Sequence, residues 1–169
     1  MDSDPVRRRA TDAETPGVIG RPILFFLAAI PLGLALDHLL PLPRPIPGSG
    51  PVHWISAGIA VVMILVGVAI FIAGIRNLSR AGTAVPTNQP ASRLVTTGVH
   101  GWTRNPIYLA FILACFGAGI LIRSPWILIL ALTLAIYLRY GVVAREEAYL
   151  ERRFGDAFRD YRARVRRWL

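Results

Sequence analysis

Four apolar stretches, at 23–40, 54–75, 107–122 and 126–138, constrain this chain more than anything else in it. Backbone polar groups in hydrocarbon must satisfy one another within the segment, so such runs fold as helices. The pattern predicts an all-α fold, an integral membrane helical bundle of about four transmembrane helices followed by an amphipathic helical tail. At ~1.5 Å per residue the second stretch covers roughly 30 Å of hydrocarbon. The third and fourth are short, and Arg123-Ser124-Pro125 joins them tightly enough to force an antiparallel hairpin. They cross fully only if flanking groups such as Arg139 and Tyr140 snorkel or the bilayer thins; a hairpin that enters without crossing is the alternative. A hydrophobic content of 54% and a mean hydropathy of +0.49 over 169 residues suit a single membrane domain.

All 19 basic residues are arginine, which excludes Schiff-base chemistry, lysine general bases and a phosphate-binding P-loop. The net charge of +9 lies beside the apolar spans, so anionic membrane lipids rather than nucleic acid are the expected partners. If the N-terminus is inside, only Arg44 and Arg123 fall outside and the other 17 arginines are cytoplasmic, so both termini are expected there. Residues 1–20 read as a disordered cytoplasmic N-terminus, 21–75 as the first two membrane helices, and 76–169 as the functional core. The first apolar run has no small-residue cleavage site after it and is expected to remain as an anchor. Cys115, the single cysteine, reads as a small core residue.

Pro41, Pro43, Pro45, Pro47 and Pro51 form a stiff connector between the first two spans. The 81–91 stretch, with Gly82, Pro86 and Pro90, reads as a cytoplasmic loop placed to fold over a ligand. From Ala144 the pattern turns helical: Leu150, Phe154, Phe158, Tyr161, Val165 and Trp168 form one apolar stripe, as in a tail lying on lipid headgroups. Gly155 is expected to divide it, since glycine inside a helix costs ~1 kcal/mol. His38 with Asp37, and His53, lie at the opposite membrane face, and no metal site is expected for want of a third ligand.

Two polar stretches flank the hairpin. The first is Leu94-Val95-Thr96-Thr97-Gly98-Val99-His100-Gly101-Trp102-Thr103-Arg104-Asn105-Pro106-Ile107-Tyr108; the second is Arg145-Glu146-Glu147. Asn105-Pro106 suits a helix start, with Asn as cap and Pro in the first turn. Two acids beside an anionic leaflet need partners. Arg104, Arg139 or Arg145 would neutralise them, and chain order brings Arg104 near Glu146. A ligand with hydroxyls and an amine suits such a pocket equally well.

These residues resemble isoprenylcysteine carboxyl methyltransferase and its bacterial relatives, and phospholipid methyltransferases share a similar Arg-x-Pro and Glu-Glu pattern. The resemblance rests on Leu94–Gly98, Arg104–Tyr108, Glu146-Glu147, Leu150, Phe154-Gly155, Tyr161 and Val165, and covers residues 80–169. It implies a membrane enzyme, placed in a bacterial inner membrane, that binds S-adenosyl-L-methionine between hairpin and tail. Carried over by position, the cofactor contacts are Ser92, Arg93, Leu94, Val95, His100, Asn105, Pro106, Ile107, Tyr108 and Glu146. The eukaryotic enzymes show tyrosine where His100 stands and histidine where Asn105 stands. An upstream glutamine contact falls at Val85. The arginine that steers substrate there falls at Val142, which leaves Arg139 or Arg145 for that part. These departures weigh against prenylcysteine as the substrate.

Arg104, Arg145 and Glu147 are the candidate catalytic residues on this reading. The arginines would hold the acceptor, and Glu147, His100 or water would take a proton from an amine. A carboxylate acceptor is ionised already and needs no base, so positioning is most of the task. The expected substrate is a small lipophilic molecule or lipid, with a carboxylate or thiol as acceptor. Phospholipid N-methylation is the nearest rival. A membrane scaffold binding anionic lipid through its arginine-rich tail, and a sterol-reductase-like protein, are the more distant ones.

Overall fold

The computed structural model describes residues 17, 20–83 and 91–168. Val85, Pro86, Pro90 and the arginines at 7–9 lie outside the described residues. The chain is an all-α membrane helical bundle. Helix α1 is Pro22–Leu39, α2 Gly50–Arg80, α3 Pro106–Ile122 and α4 Pro125–Tyr137. A 3₁₀ turn, Gly98–Gly101, precedes α3, and a π-helical turn, Leu138–Val143, follows α4. Helices α5, Ala144–Phe154, and α6, Asp156–Arg164, complete the order. Proline lies in the first turn of all four apolar helices, where its missing N–H breaks no helical bond.

Three stretches are long and apolar enough to cross a membrane: Pro22–Leu39, Gly50–Arg80 and Pro125–Phe154. Pro106–Ile122 is a shorter apolar helix. The third of these stretches corrects the sequence reading. The fourth segment does not end near residue 138 but runs on through the π turn into α5 as 30 helical residues. Arg139 interrupts the apolar run after Leu138, while the helical backbone bonding continues. Large apolar side chains on the outer surfaces, including Leu24, Trp54, Ile55, Leu65 and Leu132, remain exposed, as lipid-facing residues do.

A seam of small residues sets the packing of α2 on α3. Ala60, Gly67 and Gly74 recur at seven-residue spacing and are the buried residues of α2. A Cβ at Gly67 would stand 3.1 Å from the Ala110 carbonyl oxygen, and one at Gly74 3.1 Å from Ile107. On α3, a Cβ at Gly117 would meet the Ala60 carbonyl oxygen at 2.9 Å and Ile64 Cγ1 at 2.7 Å. Lipid offers helices no hydrophobic drive to associate, so backbone approach over small residues supplies the contact. The hairpin forms as expected. Arg123 adopts a left-handed conformation (φ 59°), and Ser124 Oγ accepts from Ile127 N at 2.9 Å to cap α4. On its far side α4 receives α1, where Gly33 abuts Ile127.

Gly117→Val is therefore expected to destabilise the bundle by about 1–3 kcal/mol through overpacking against helix backbone. Thermal unfolding in detergent, compared with Gly58→Ala at a glycine with open space around it, checks this.

Candidate functional site

The two polar stretches meet at one end of the bundle, and Arg104 shows how. Its Nε and Nη2 donate to Glu147 Oε1 at 3.2 and 2.8 Å. Its Nη1 donates to the carbonyls of Val165 at 2.5 Å and Arg162 at 3.1 Å. Arg167 completes the cluster, with Nε on Glu147 Oε1 at 3.1 Å and Nη2 on Oε2 at 2.5 Å. One buried carboxylate thus ties the loop before α3, helix α5 and the C-terminal segment together. The side chains of Arg104 and Glu147 are each only 9% exposed, so the charges are withdrawn from water and depend on one another.

The C-terminal segment is bound to the same loop by backbone. Arg104 N donates to Arg166 O at 3.0 Å, and Asn105 Nδ2 and Thr103 Oγ1 donate to Arg167 O at 3.0 and 3.2 Å. Asn105 stands at the expected helix start, yet its side chain makes no cap bond; it holds the tail instead. Gly155 breaks the tail as expected, with φ 53° between α5 and α6. The apolar stripe turns inward rather than onto headgroups: Phe158 and Tyr161 are buried, and Trp168 packs against the helical core.

Glu146 is one residue from Glu147, about 100° around the helix, and faces another way. Its Oε2 accepts from Tyr108 Oη at 2.9 Å. Chain order puts Arg104 within reach of Glu146, with Arg139 and Arg145 as the other candidate partners of the two acids; the structure pairs Arg104 with Glu147 and gives Glu146 the Tyr108 hydroxyl.

Beside this junction lies a cavity of about 510 Å³, within the roughly 300–1,000 Å³ of small-molecule sites. Arg93, Leu94, Val95, His100, Arg104, Asn105, Pro106, Ile107, Tyr108 and Glu146 all line it. Ser92, Arg145 and Glu147 do not. Ser92 instead secures the loop, its Oγ donating to Gly82 O at 3.0 Å, and Arg145 Nη1 donates to Gly17 O at 3.1 Å on the surface. The apolar wall comes from Phe71, Ile75 and Leu78 of α2, Phe111 of α3 and Leu150 of α5, with Arg21 and Pro22 at the start of α1. Sequence reasoning missed the α1 and α2 contributions and Tyr149, and it placed Tyr161 in a stripe lying on headgroups. Tyr149 Oη accepts from Ala91 N at 3.1 Å, and Tyr161 Oη donates to His100 O at 2.6 Å. Burial pushes the Tyr161 phenol up to about 12, which keeps it a donor.

Nearly all of α2 and the whole of α3, α4 and α5 fall within a region that matches known proteins. The phospholipid methyltransferase family model matches residues 55–157. The chain belongs to the phospholipid methyltransferase family. An uncharacterized protein of Haemophilus influenzae is 63% identical over 27 residues, 16% of this chain and 43% of that protein. The chain thus spans under half the length of that relative. The family match also extends the earlier resemblance toward the N-terminus, to include nearly all of α2 and the part of it that walls the cavity.

His100 is buried in the 3₁₀ turn, and desolvation lowers its pKa from 6.5 to about 4. Between those values the unfolded chain binds the proton and the native one does not, so stability falls as pH falls. The contribution is fully present above 6.5 and is lost as pH drops through the window down to about 4. Wild-type protein is expected to lose up to about 3 kcal/mol more than His100→Gln on going from pH 7 to pH 4. Denaturant unfolding in detergent at the two pH values measures the difference. Glu147→Ala, which strands two guanidinium groups, is expected to destabilise by about 3–5 kcal/mol and to free the tail to proteolysis.

Proposed function

We propose that the protein is an S-adenosyl-L-methionine-dependent methyltransferase acting on a small lipophilic acceptor whose reactive group is a carboxylate or thiol. One observation carries this reading: a single cavity has a polar wall from both predicted stretches and an apolar wall from helices that face lipid. Phe71, Ile75 and Phe111 belong to the apolar lining, and His100, Asn105 and Glu146 to the polar one.

The donor set fits the cofactor. Glu146 offers a carboxylate to the cation-bearing tail or the ribose hydroxyls, and Tyr108 fixes its direction by donating to Oε2. His100 and Asn105 supply polar groups, and the apolar wall excludes water. Bound there, S-adenosylmethionine supplies an electrophilic methyl group on a sulfonium. The chain's own residues orient the two reactants and keep the boundary dry; charge is neutralised as the methyl moves, so low polarity favours the step. Glu147 and Arg104 are engaged with each other and with Arg167, so in this reading they build the site. Arg93 and Arg21, which line the cavity, are placed to meet an anionic acceptor.

A second reading, phospholipid N-methylation, is favoured by the family match. An amine must lose its proton before attack. Glu147 is committed to two arginines and Glu146 Oε2 already accepts from Tyr108, which favours an acceptor that is already anionic, a carboxylate or a thiol ionised before it binds. The arginine distribution supports a cytoplasmic placement of this end, with both termini inside.

Calorimetry with S-adenosylmethionine is expected to show binding by wild type and at least tenfold weaker binding by Glu146→Ala. Transfer of labelled methyl into a lipid extract then separates the acceptors: an ester releases methanol in mild base, a thioether or N-methyl product does not. No binding by folded wild-type protein contradicts the enzymatic reading.

A further inference from the structure

Asn77, at the inner end of α2, is a polar residue that neither the sequence motifs nor the proposed chemistry uses. Its Nδ2 lies 2.6 Å from Thr97 O and 3.0 Å from His100 Nδ1. A carbonyl oxygen only accepts, so the amide nitrogen, not the amide oxygen, faces Thr97. The same NH₂ group carries two hydrogens and has no lone pair to offer. It donates one to Thr97 O and the other to His100 Nδ1. Nδ1 is therefore the bare acceptor, and the proton of the neutral ring sits on Nε2.

The surroundings are built for this arrangement. Gly98 has φ 59°, and a Cβ there would stand 3.0–3.1 Å from the Asn77 amide atoms, so a side chain at 98 would displace the amide. Tyr161 Oη holds His100 by its carbonyl from the other side. Nε2 has no hydrogen-bond partner among the described residues, yet no buried side-chain nitrogen or oxygen among them is left unpartnered. Nε2 is therefore not fully buried, and His100 is a cavity-lining residue.

We propose that Asn77 is a positioning residue that holds His100 as a neutral Nε2–H donor, aimed at an acceptor atom of the methyl donor. The assignment rests on the methyltransferase reading for its ligand but not for its tautomer. Its physical sense is charge: an imidazolium sharing a cavity with a sulfonium repels it, whereas a neutral N–H binds oxygen or ring nitrogen without adding charge. Burial of the ring, which disfavours its protonated form, acts in the same direction.

Nitrogen-15 NMR of the full chain in detergent, without any ligand, tests the tautomer; the chain has 3 histidines, and His100→Gln assigns the signal. The expected result at pH 7 is protonated Nε2 and bare Nδ1. Protonated Nδ1, or an imidazolium, overturns the proposal. Asn77→Asp, which can only accept, is expected to move the proton to Nδ1 and to weaken S-adenosylmethionine binding at least tenfold. Should that variant not fold, a histidine pair decides. His100→Gln, with a donor where Nε2 stood, is expected to bind at least threefold more tightly than His100→Asn, without one. Equal binding by the two overturns the donor role. Wild type that shows the Nε2–H form yet binds no S-adenosylmethionine removes the ligand and the methyltransferase reading together, and leaves the tautomer standing.

Discussion

The buried carboxylate of Glu147, shared by Arg104 and Arg167, is the interaction on which the rest of the site depends. Helices α3 and α5 would leave hydrocarbon side by side without it, but nothing else fixes the loop and the C-terminal segment over them so completely. A charge pair removed from water gains little over apolar packing in free energy, yet its geometry is specific. Here that specificity is useful. The Arg104 side chain reaches three acceptors, Glu147 Oε1 and the carbonyls of Arg162 and Val165, and its backbone and neighbours Thr103 and Asn105 hold the tail's carbonyls. Closing the tail in this way frees Glu146, the adjacent acid, to face the cavity.

The π turn at Leu138–Val143 belongs to the same arrangement. It lets one helix change character without ending, from an apolar span to a polar segment carrying Glu146, Glu147 and Tyr149. A wider turn also shifts the register of everything beyond it, and such turns recur at functional sites. The glycine and alanine seam between α2 and α3 does comparable work on the other side. It brings the end of α2 close enough for Asn77 to reach His100, and for Phe71 and Ile75 to wall the cavity.

Much of this was legible in the sequence, for definite reasons. Length and apolarity alone place the membrane helices, since hydrocarbon admits few alternatives, and Arg123-Ser124-Pro125 dictates the hairpin. Asn105–Tyr108 and Glu146 line one cavity although 38 residues separate Tyr108 from Glu146, because the hairpin returns the chain to the same end of the bundle. The partner of Arg104 is one residue on from the acid that chain order brings near it. Neighbours on a helix point about 100° apart, and the π turn that sets their direction has no sequence signature in Leu138-Arg139-Tyr140-Gly141. Asn77 was invisible for a related reason: beside Arg76 at the end of an apolar span it reads as one more headgroup-level polar residue. Tyr161 and Phe158 kept the spacing of a surface stripe but found a protein loop to cover them instead of lipid.

In the proposed function, loop, α5 and tail converge to hold one methyl-donor molecule in the cavity. Hydrogen–deuterium exchange on the full chain in lipid nanodiscs, with and without S-adenosylhomocysteine, tests this most directly. Slowed exchange is expected in 91–108, 144–150 and 158–161, with the outer ends of α1 and α2 unchanged. Protection confined to other regions, or none at saturating ligand, would contradict it.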